Sequence, residues 1–367
     1  MNIAYRFRIY PTEEQKILLG KTFGCCRFLY NQMLNDKIQE YEKTKKMLKN
    51  TPAMYKREYP FLKEVDSLAL ANVQLHLEKA YKNFFRDPKI GFPKFKSKHH
   101  SRNSYTTNVV NGNILVESKR IRLPKLKWIA MKKHREPAKG LRLKSVTVSM
   151  EPSGKYFASL LYEGDSCENQ AAELDYSTAK ILGIDYAMQG MAVFSEEIEM
   201  EEAGFFRKNE KRLVREQRKL SRCVRGSHNY ELQKKKVARC HEKIRNQRRD
   251  YLHKLSRKIV DSYDAVAVED IDMKAMGQCL HFGKSVHDNG YGMFREMLDY
   301  KLAWKGKKIV KVDRFFPSSK KCCQCGRIKK ELKLSERVYH CVCGNEMDRD
   351  RNAAINIREE ARRMLIA

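Results

Sequence analysis

Five cysteines crowded between positions 322 and 343 constrain this chain more than any other feature. Cys322-Cys323-Gln324-Cys325-Gly326 is followed by Cys341-Val342-Cys343-Gly344, with fifteen residues between Cys325 and Cys341. Tetrahedral zinc takes four thiolate or imidazole ligands, and two tight turns ending in glycine present thiolates in pairs. Gly326 and Gly344 permit the left-handed turns that aim backbone amides at sulfur. Cys322, Cys325, Cys341 and Cys343 are therefore the expected Zn2+ ligands. Four protein ligands leave no open position for water, so the metal's role is structural. The second pair is one residue shorter than Cys-x-x-Cys, and His340 and Cys323 stand as alternative ligands.

The chain has eleven cysteines, an odd number, and Cys25, Cys26, Cys167, Cys223, Cys240 and Cys279 have no ligand spacing. Met1-Asn2-Ile3-Ala4-Tyr5-Arg6 is not backed by a long apolar core, and no run approaches the roughly twenty apolar residues of a membrane span. A cytoplasmic protein is expected, with no membrane partner and with clustered cysteines serving metal rather than disulfides. The formal charge of +30 points to a polyanionic partner, because neutralising phosphates releases condensed counterions. At 42% hydrophobic residues the chain is expected to fold, and 367 residues suffice for two or three cores.

Alternation from Ala4 to Pro11 predicts a short strand. Thr12 with Gln15 has the pattern of a capping box, opening a mostly helical stretch to about Phe85 with breaks near Pro52 and Pro60. Gly91-Phe92-Pro93-Lys94-Phe95-Lys96-Ser97-Lys98 reads as a basic, aromatic loop. Strands follow from about Ser104 to Glu163, with Pro152-Ser153-Gly154 as a hairpin turn between Val146–Met150 and Tyr156–Leu160. The first strand is expected to join this later sheet, which makes the helices an insertion. Residues 166–178 read as a polar linker. A new α/β unit then places strands at Lys180–Asp185, Met191–Ser195, Ala265–Val268 and Lys308–Val312. Between them a very basic helical stretch turns at Gly226-Ser227-His228-Asn229. Its second half sets Val237, His241, Ile244, Arg248, Leu252, Leu255 and Ile259 along one face. Basic residues there outnumber acidic ones several-fold, which favours nucleic-acid contact.

Asp185 and Glu269 each end an apolar strand. Either alone is an ordinary loop start, but two in one basic α/β unit suggest metal-assisted phosphodiester chemistry: anionic side chains hold divalent ions that activate water and stabilise the leaving oxygen. Asp348-Arg349-Asp350-Arg351-Asn352-Ala353-Ala354 offers a further carboxylate at a helix start, where Asp348 and Asp350 are both candidates.

These pieces together resemble the TnpB (OrfB) family of insertion-sequence proteins, relatives of the type V CRISPR effectors. The resemblance runs from Tyr5-Arg6-Phe7-Arg8-Ile9-Tyr10-Pro11 and Phe23-Gly24-Cys25-Cys26-Arg27-Phe28 to the C-terminus. It is carried by Gly183-Ile184-Asp185, Val268-Glu269-Asp270-Ile271, Ser318-Ser319 ahead of the cysteines, Asp348-Arg349-Asp350 through Ile357, and a bridging-helix-like Arg248–Ser256. It implies an α/β multidomain protein whose RNase H-like RuvC nuclease domain (179–317 and 346–367, with basic helices at 205–260) is split by a zinc ribbon at 318–345. A wedge-like β-barrel (1–13 and 100–165) carrying a helical recognition insertion (14–99) would precede it. It further implies an RNA-guided, Mg2+-dependent DNA endonuclease of a mobile element, nucleoid-associated, with Asp185, Glu269 and Asp350 as catalytic metal ligands. Its partners would be a guide RNA from the transposon end and double-stranded target DNA. A guided repressor or an accessory DNA-binding protein of transposition is the rival reading, and the intact acid set speaks against it. Tyr5, Arg6, Arg8, Arg27, Lys94, Lys96 and Arg248 are candidate nucleic-acid contacts, mixing aromatics with positive charge. Gly183-Ile184-Asp185-Tyr186-Ala187-Met188 departs from the family's frequent Asp-Leu-Gly continuation but keeps the carboxylate.

Overall fold

A computed structural model describes residues 2–98, 100–164, 174–187, 191–199, 204–271, 290–333 and 335–367. Cys167, Cys279, Met188 and the first part of the expected linker lie outside them. The chain divides into two compact units, Met1–Ser166 and Cys167–Ala367.

In the first unit, β1 (Asn2–Tyr10) leads into α1 (Glu13–Thr44), α2 (Pro52–Glu58) and α3 (Ser67–Arg86). The capping box is formed: Gln15 N donates to Thr12 Oγ1 at 3.3 Å and Thr12 N to Gln15 Oε1 at 3.0 Å. Pro52 opens α2 at a position whose N–H has no helical partner, and Pro60 starts a short 3-10 turn. Strands β2 (Asn103–Asn108), β3 (Leu115–Val116), β4 (Arg120–Leu123), β5 (Lys127–Lys132), β6 (Arg142–Met150) and β7 (Tyr156–Glu163) follow. The sheet runs β2-β6-β7-β1-β5-β4-β3 and is antiparallel throughout, with β1 between β7 and β5. The first strand thus joins the later sheet and the helices are inserted. Phe7 and Ile9 of β1 are fully buried in one core with Leu19, Leu29 and Leu34 of α1 and Leu70 and Leu77 of α3.

The expected barrel is corrected to an open sheet. Its outer strands β2 and β3 do not pair with each other among the described residues. At two residues β3 is too short to carry a closing ladder.

In the second unit, β8 (Ile181–Ala187), β9 (Met191–Phe194), β10 (Ala265–Glu269) and β11 (Lys308–Val312) form a sheet ordered β11-β10-β8-β9. The β11–β10–β8 ladders are parallel and β9 is antiparallel to β8. Alternate residues feed two cores. Leu182, Ile184, Val266 and Val268 pack with residues of α5 (His228–Ser262) and α6 (Tyr291–Trp304). Ile181, Ala265 and Ala267 pack with Ile357 and Ala361 of α7 (Arg349–Ile366). Burial on both faces is why these strands read as unbroken apolar runs. Helix α4 (Phe205–Ser221) pairs with α5 through a small core of Leu213, Cys240 and Ile244, and Ser227 caps α5 after the turn. One residue of the expected stripe is corrected: His241 is exposed and its neighbour Cys240 turns inward. A stripe at 100° per residue drifts over so long a helix, and at this turn the apolar neighbour takes the inner position.

Gly183 sets how closely α7 crosses the sheet. A Cβ at this position would lie 2.0 Å from the Ala354 carbonyl oxygen, a backbone atom that cannot swing away. Gly183→Ala is expected to cost about 3 kcal/mol, the upper end of ordinary overpacking; a denaturant midpoint equal to the unsubstituted protein's would contradict this close approach. No described helix is long and apolar enough to cross a membrane.

Candidate active site and metal centre

The parallel register aligns Ile184 of β8 with Val268 of β10. The next residues, Asp185 and Glu269, therefore stand side by side at the carboxyl edge of the sheet, where open α/β sheets present their ligand crevices. Helix α7 brings a third acid. Its N-cap is Asp348, whose Oδ1 accepts from Arg351 N at 2.9 Å. The cap engages the Asp348 carboxylate with backbone, whereas Asp350, in the first turn, is in the electrostatic field of Asp185.

Burial first, then the charges of Glu269 and Asp350, push the Asp185 carboxyl up to about 8, against weaker pulls from the Tyr186 N–H and Arg349. Burial also raises Glu269. Cations border the cluster: Arg337 Nη1 lies 3.7 Å and Arg349 Nε 3.9 Å from Asp350, and Arg295 Nη1 lies 3.9 Å from Asp270. Tyr291, buried at the start of α6, packs its ring 4.9 Å from that of Tyr186 and senses the charges of Asp185 and Glu269. Neither Tyr291 nor Arg337 was marked by the sequence pattern; a lone tyrosine opening a helix and an arginine inside a polar loop carry no local signal.

The cysteines converge tightly. Cys322 Sγ and Cys343 Sγ are 3.7 Å apart, Cys325 Sγ and Cys341 Sγ 3.6 Å, and all four sulfurs lie within 4.8 Å of one another. Zinc with Zn–S bonds of about 2.3 Å in a tetrahedron sets sulfurs about 3.8 Å apart, so the quartet is sized for that ion. The alternative ligands stand aside. Cys323 Sγ contacts Met347 Sδ at 3.4 Å, and His340 Nδ1 faces Glu346 at 3.4 Å. Gly326 and Gly344 take φ of 75° and 89° and close their turns by donating to the carbonyls of Cys322 and Cys341. Among the described residues this is the only set of three or more His, Cys, Asp or Glu with ligand atoms so close. The carboxylates are more widely spaced.

Two buried asparagines fasten this ribbon to α7. Asn352 accepts from Cys323 N at 3.0 Å and donates to Lys321 O at 2.8 Å; Asn356, one turn on, donates to Ser318 O and Lys321 O at 2.8 and 2.6 Å. The helix that carries Asp350 is thus positioned by the backbone that carries the first cysteine pair.

The basic candidates divide. In the first unit, Arg6 is held by Glu151 at 2.5 Å and lies 3.9 Å over the Phe157 ring. Arg8 lies 5.4 Å from the Tyr10 and Phe157 rings, and Tyr5 meets Tyr162 edge-on at 5.7 Å. Lys96 sits 3.8 Å over Tyr30, and its backbone exchanges two hydrogen bonds with Asn31. Arg27 is half-buried and Lys94 exposed. In the second unit, half-buried Arg248 lays its stem against Gly290.

The chain matches three family profiles: "Probable transposase" over residues 165–279, "Cas12f1-like, TNB domain" over 291–357, and "Helix-turn-helix domain" over 1–46. The last span folds here as β1 and the single helix α1. A Streptomyces pristinaespiralis protein named as an RNA-guided DNA endonuclease is 33% identical over 366 residues, spanning 96% of this chain and 88% of the relative. The similarly named InsQ of Escherichia coli K12 is 30% identical, spanning 96% and 91%. The structure of a Cas12f1–sgRNA–target DNA complex matches over 98% of both chains with a TM-score of 0.59 at 14% identity, a likeness of fold.

Proposed function

We propose a catalytic assignment from one premise: the chain belongs to the TnpB (OrfB) family. It is an RNA-guided DNA endonuclease of a mobile element. Asp185, Glu269 and Asp350 are its catalytic carboxylates, and the single observation that supports this is the placement of Asp185 and Glu269 on neighbouring strands at one sheet edge, with Asp350 of α7 within electrostatic reach of Asp185. The donors are all oxygen, and their mutual repulsion, which burdens Asp185, is what a hard divalent cation would relieve; the set fits Mg2+. Bound there, the ion supplies an activated water and neutralises charge at the leaving oxygen. The chain's own part is placement. β8 and β10 fix two carboxylates, α7 carries the third in its first turn, and Arg337 and Arg349 lend positive charge beside Asp350 where a phosphate would enter.

The cysteine quartet holds Zn2+ as a structural ion, supported by sulfur spacings of 3.6 and 3.7 Å. The helices at 14–99 serve recognition and the surrounding sheet the wedge role. The guide derives from the element's own end. Basic residues at both units engage RNA and DNA backbones, leaving sequence reading to base pairing. Protein purified from cells carrying that element is expected to retain one discrete RNA species on sequencing; a heterogeneous RNA pool would count against a dedicated guide.

A further inference from the structure

Phe315 is 85% exposed, more than any other large hydrophobic side chain among the described residues. Its exposure is built into the turn. Phe315 N donates to Asp313 Oδ1 at 2.7 Å and Phe316 N to Asp313 O at 3.0 Å, while the Phe316 side chain packs on the core beneath α7. One phenylalanine anchors the turn and the other is held out in water. The location matters more than the exposure. Strand β11 is parallel to β10, Val312 is paired with Glu269, and Asp270 N donates to Val312 O at 3.0 Å. The turn at 313–316 therefore leaves the same carboxyl edge that presents Asp185 and Glu269. Two strand spacings of about 4.8 Å separate β11 from β8, so this turn lies roughly 10 Å to the side of Asp185. Arg314 is exposed beside it, its guanidinium 6.0 Å from the Phe315 ring.

We propose that Phe315 is a stacking platform for a base of the DNA strand being cut, adjoining the scissile phosphate, with Arg314 on the flanking phosphate. Base–aromatic stacking tolerates any sequence because every base has a π-face, which suits a nuclease whose sequence reading belongs to its RNA. The inference rests on the carboxylate assignment above and adds to it a residue that grips substrate without touching metal.

The test uses the guide-loaded protein and a matched DNA target carrying 2-aminopurine at successive positions around the mapped cut, with Ca2+ in place of Mg2+. Fluorescence at one position is expected to be quenched with the unsubstituted protein and with Phe315→Tyr. Phe315→Leu, of similar bulk but without a π-face, should release that quenching. In Mg2+ and limiting DNA, cleavage by Phe315→Leu should fall about tenfold, within the range for losing one stacked base, while Phe315→Tyr stays near normal and RNA retention is unchanged in both. Wild-type cleavage by Phe315→Leu, or quenching that depends on residue 315 only when the probe sits in the RNA, would overturn the proposal. An Asp185→Ala complex run alongside separates two failures. If it still cuts, the carboxylate assignment falls and the inference with it; if it is inactive while Phe315→Leu matches the unsubstituted protein in both assays, only the inference falls.

Discussion

Replacing Asp185 with alanine is expected to lower guided DNA cleavage by at least about a thousandfold, the scale of losing a principal metal-held transition-state contact, while RNA retention stays intact. The same change should not weaken the fold. With burial and two neighbouring acids raising its carboxyl to about 8, Asp185 binds its proton more tightly folded than unfolded, where carboxylates titrate near about 4. In metal-free protein its contribution to stability is therefore fully present below about pH 4 and is lost as pH rises towards 8. Thermal melts of metal-free protein should fall across that window. Asp185→Asn should flatten the fall, and Mg2+ should restore stability at pH 8 in the unsubstituted protein alone. A substitution that unfolds the second unit at neutral pH would show that Asp185 is a structural acid.

Loss of the ribbon metal should be the other large effect. Structural zinc contributes apparent binding energies of about 10–16 kcal/mol in small zinc-dependent folds, and the regular structure of this region is slight: two three-residue strands, β12 (Val338–His340) and β13 (Glu346–Asp348), and one isolated bridge between Lys321 and Ile328 among the described residues. Cys341→Ser is expected to reduce bound zinc from stoichiometric to near zero and to lower the melting temperature. Cleavage should fall too, although the cysteine quartet is a separate cluster from the carboxylates among the described residues. The coupling runs through Asn352 and Asn356, which hold the backbone at 318–323 against α7; without a folded ribbon the first turn of α7, and Asp350 with it, loses its seat. Full zinc content in Cys341→Ser would point to His340 or Cys323 as the fourth ligand. Normal cleavage by zinc-free protein would break the proposed coupling.

Particular elements explain what was legible in advance. The four strands of the second unit could be read because burial on both faces writes an apolar run, and the two acids stood out because each ended such a run. The cysteine quartet was legible because its ligand spacing is local. Barrel closure was not, since pairing of β2 with β3 depends on edges distant in sequence. Three- and four-residue counting sets His241 on the stripe, but such counting cannot resolve one residue in a 35-residue helix. Asp348 and Asp350 could not be separated by alternation because the segment is not extended there. The helix begins at Arg349, which makes Asp348 its cap. Asn352 and Asn356 read as helix residues, since their partners lie about thirty residues earlier, on the far side of the ribbon.

Glu269 is set beside Asp185 by the parallel register of β8 and β10. Guide-loaded Glu269→Gln should be compared with the unsubstituted complex on a plasmid bearing a matched target in Mg2+. The expected result is linearised plasmid with the unsubstituted complex, and equal target binding with no cleavage above background for Glu269→Gln. Cleavage by Glu269→Gln at the unsubstituted rate would contradict a carboxylate-held metal at this sheet edge.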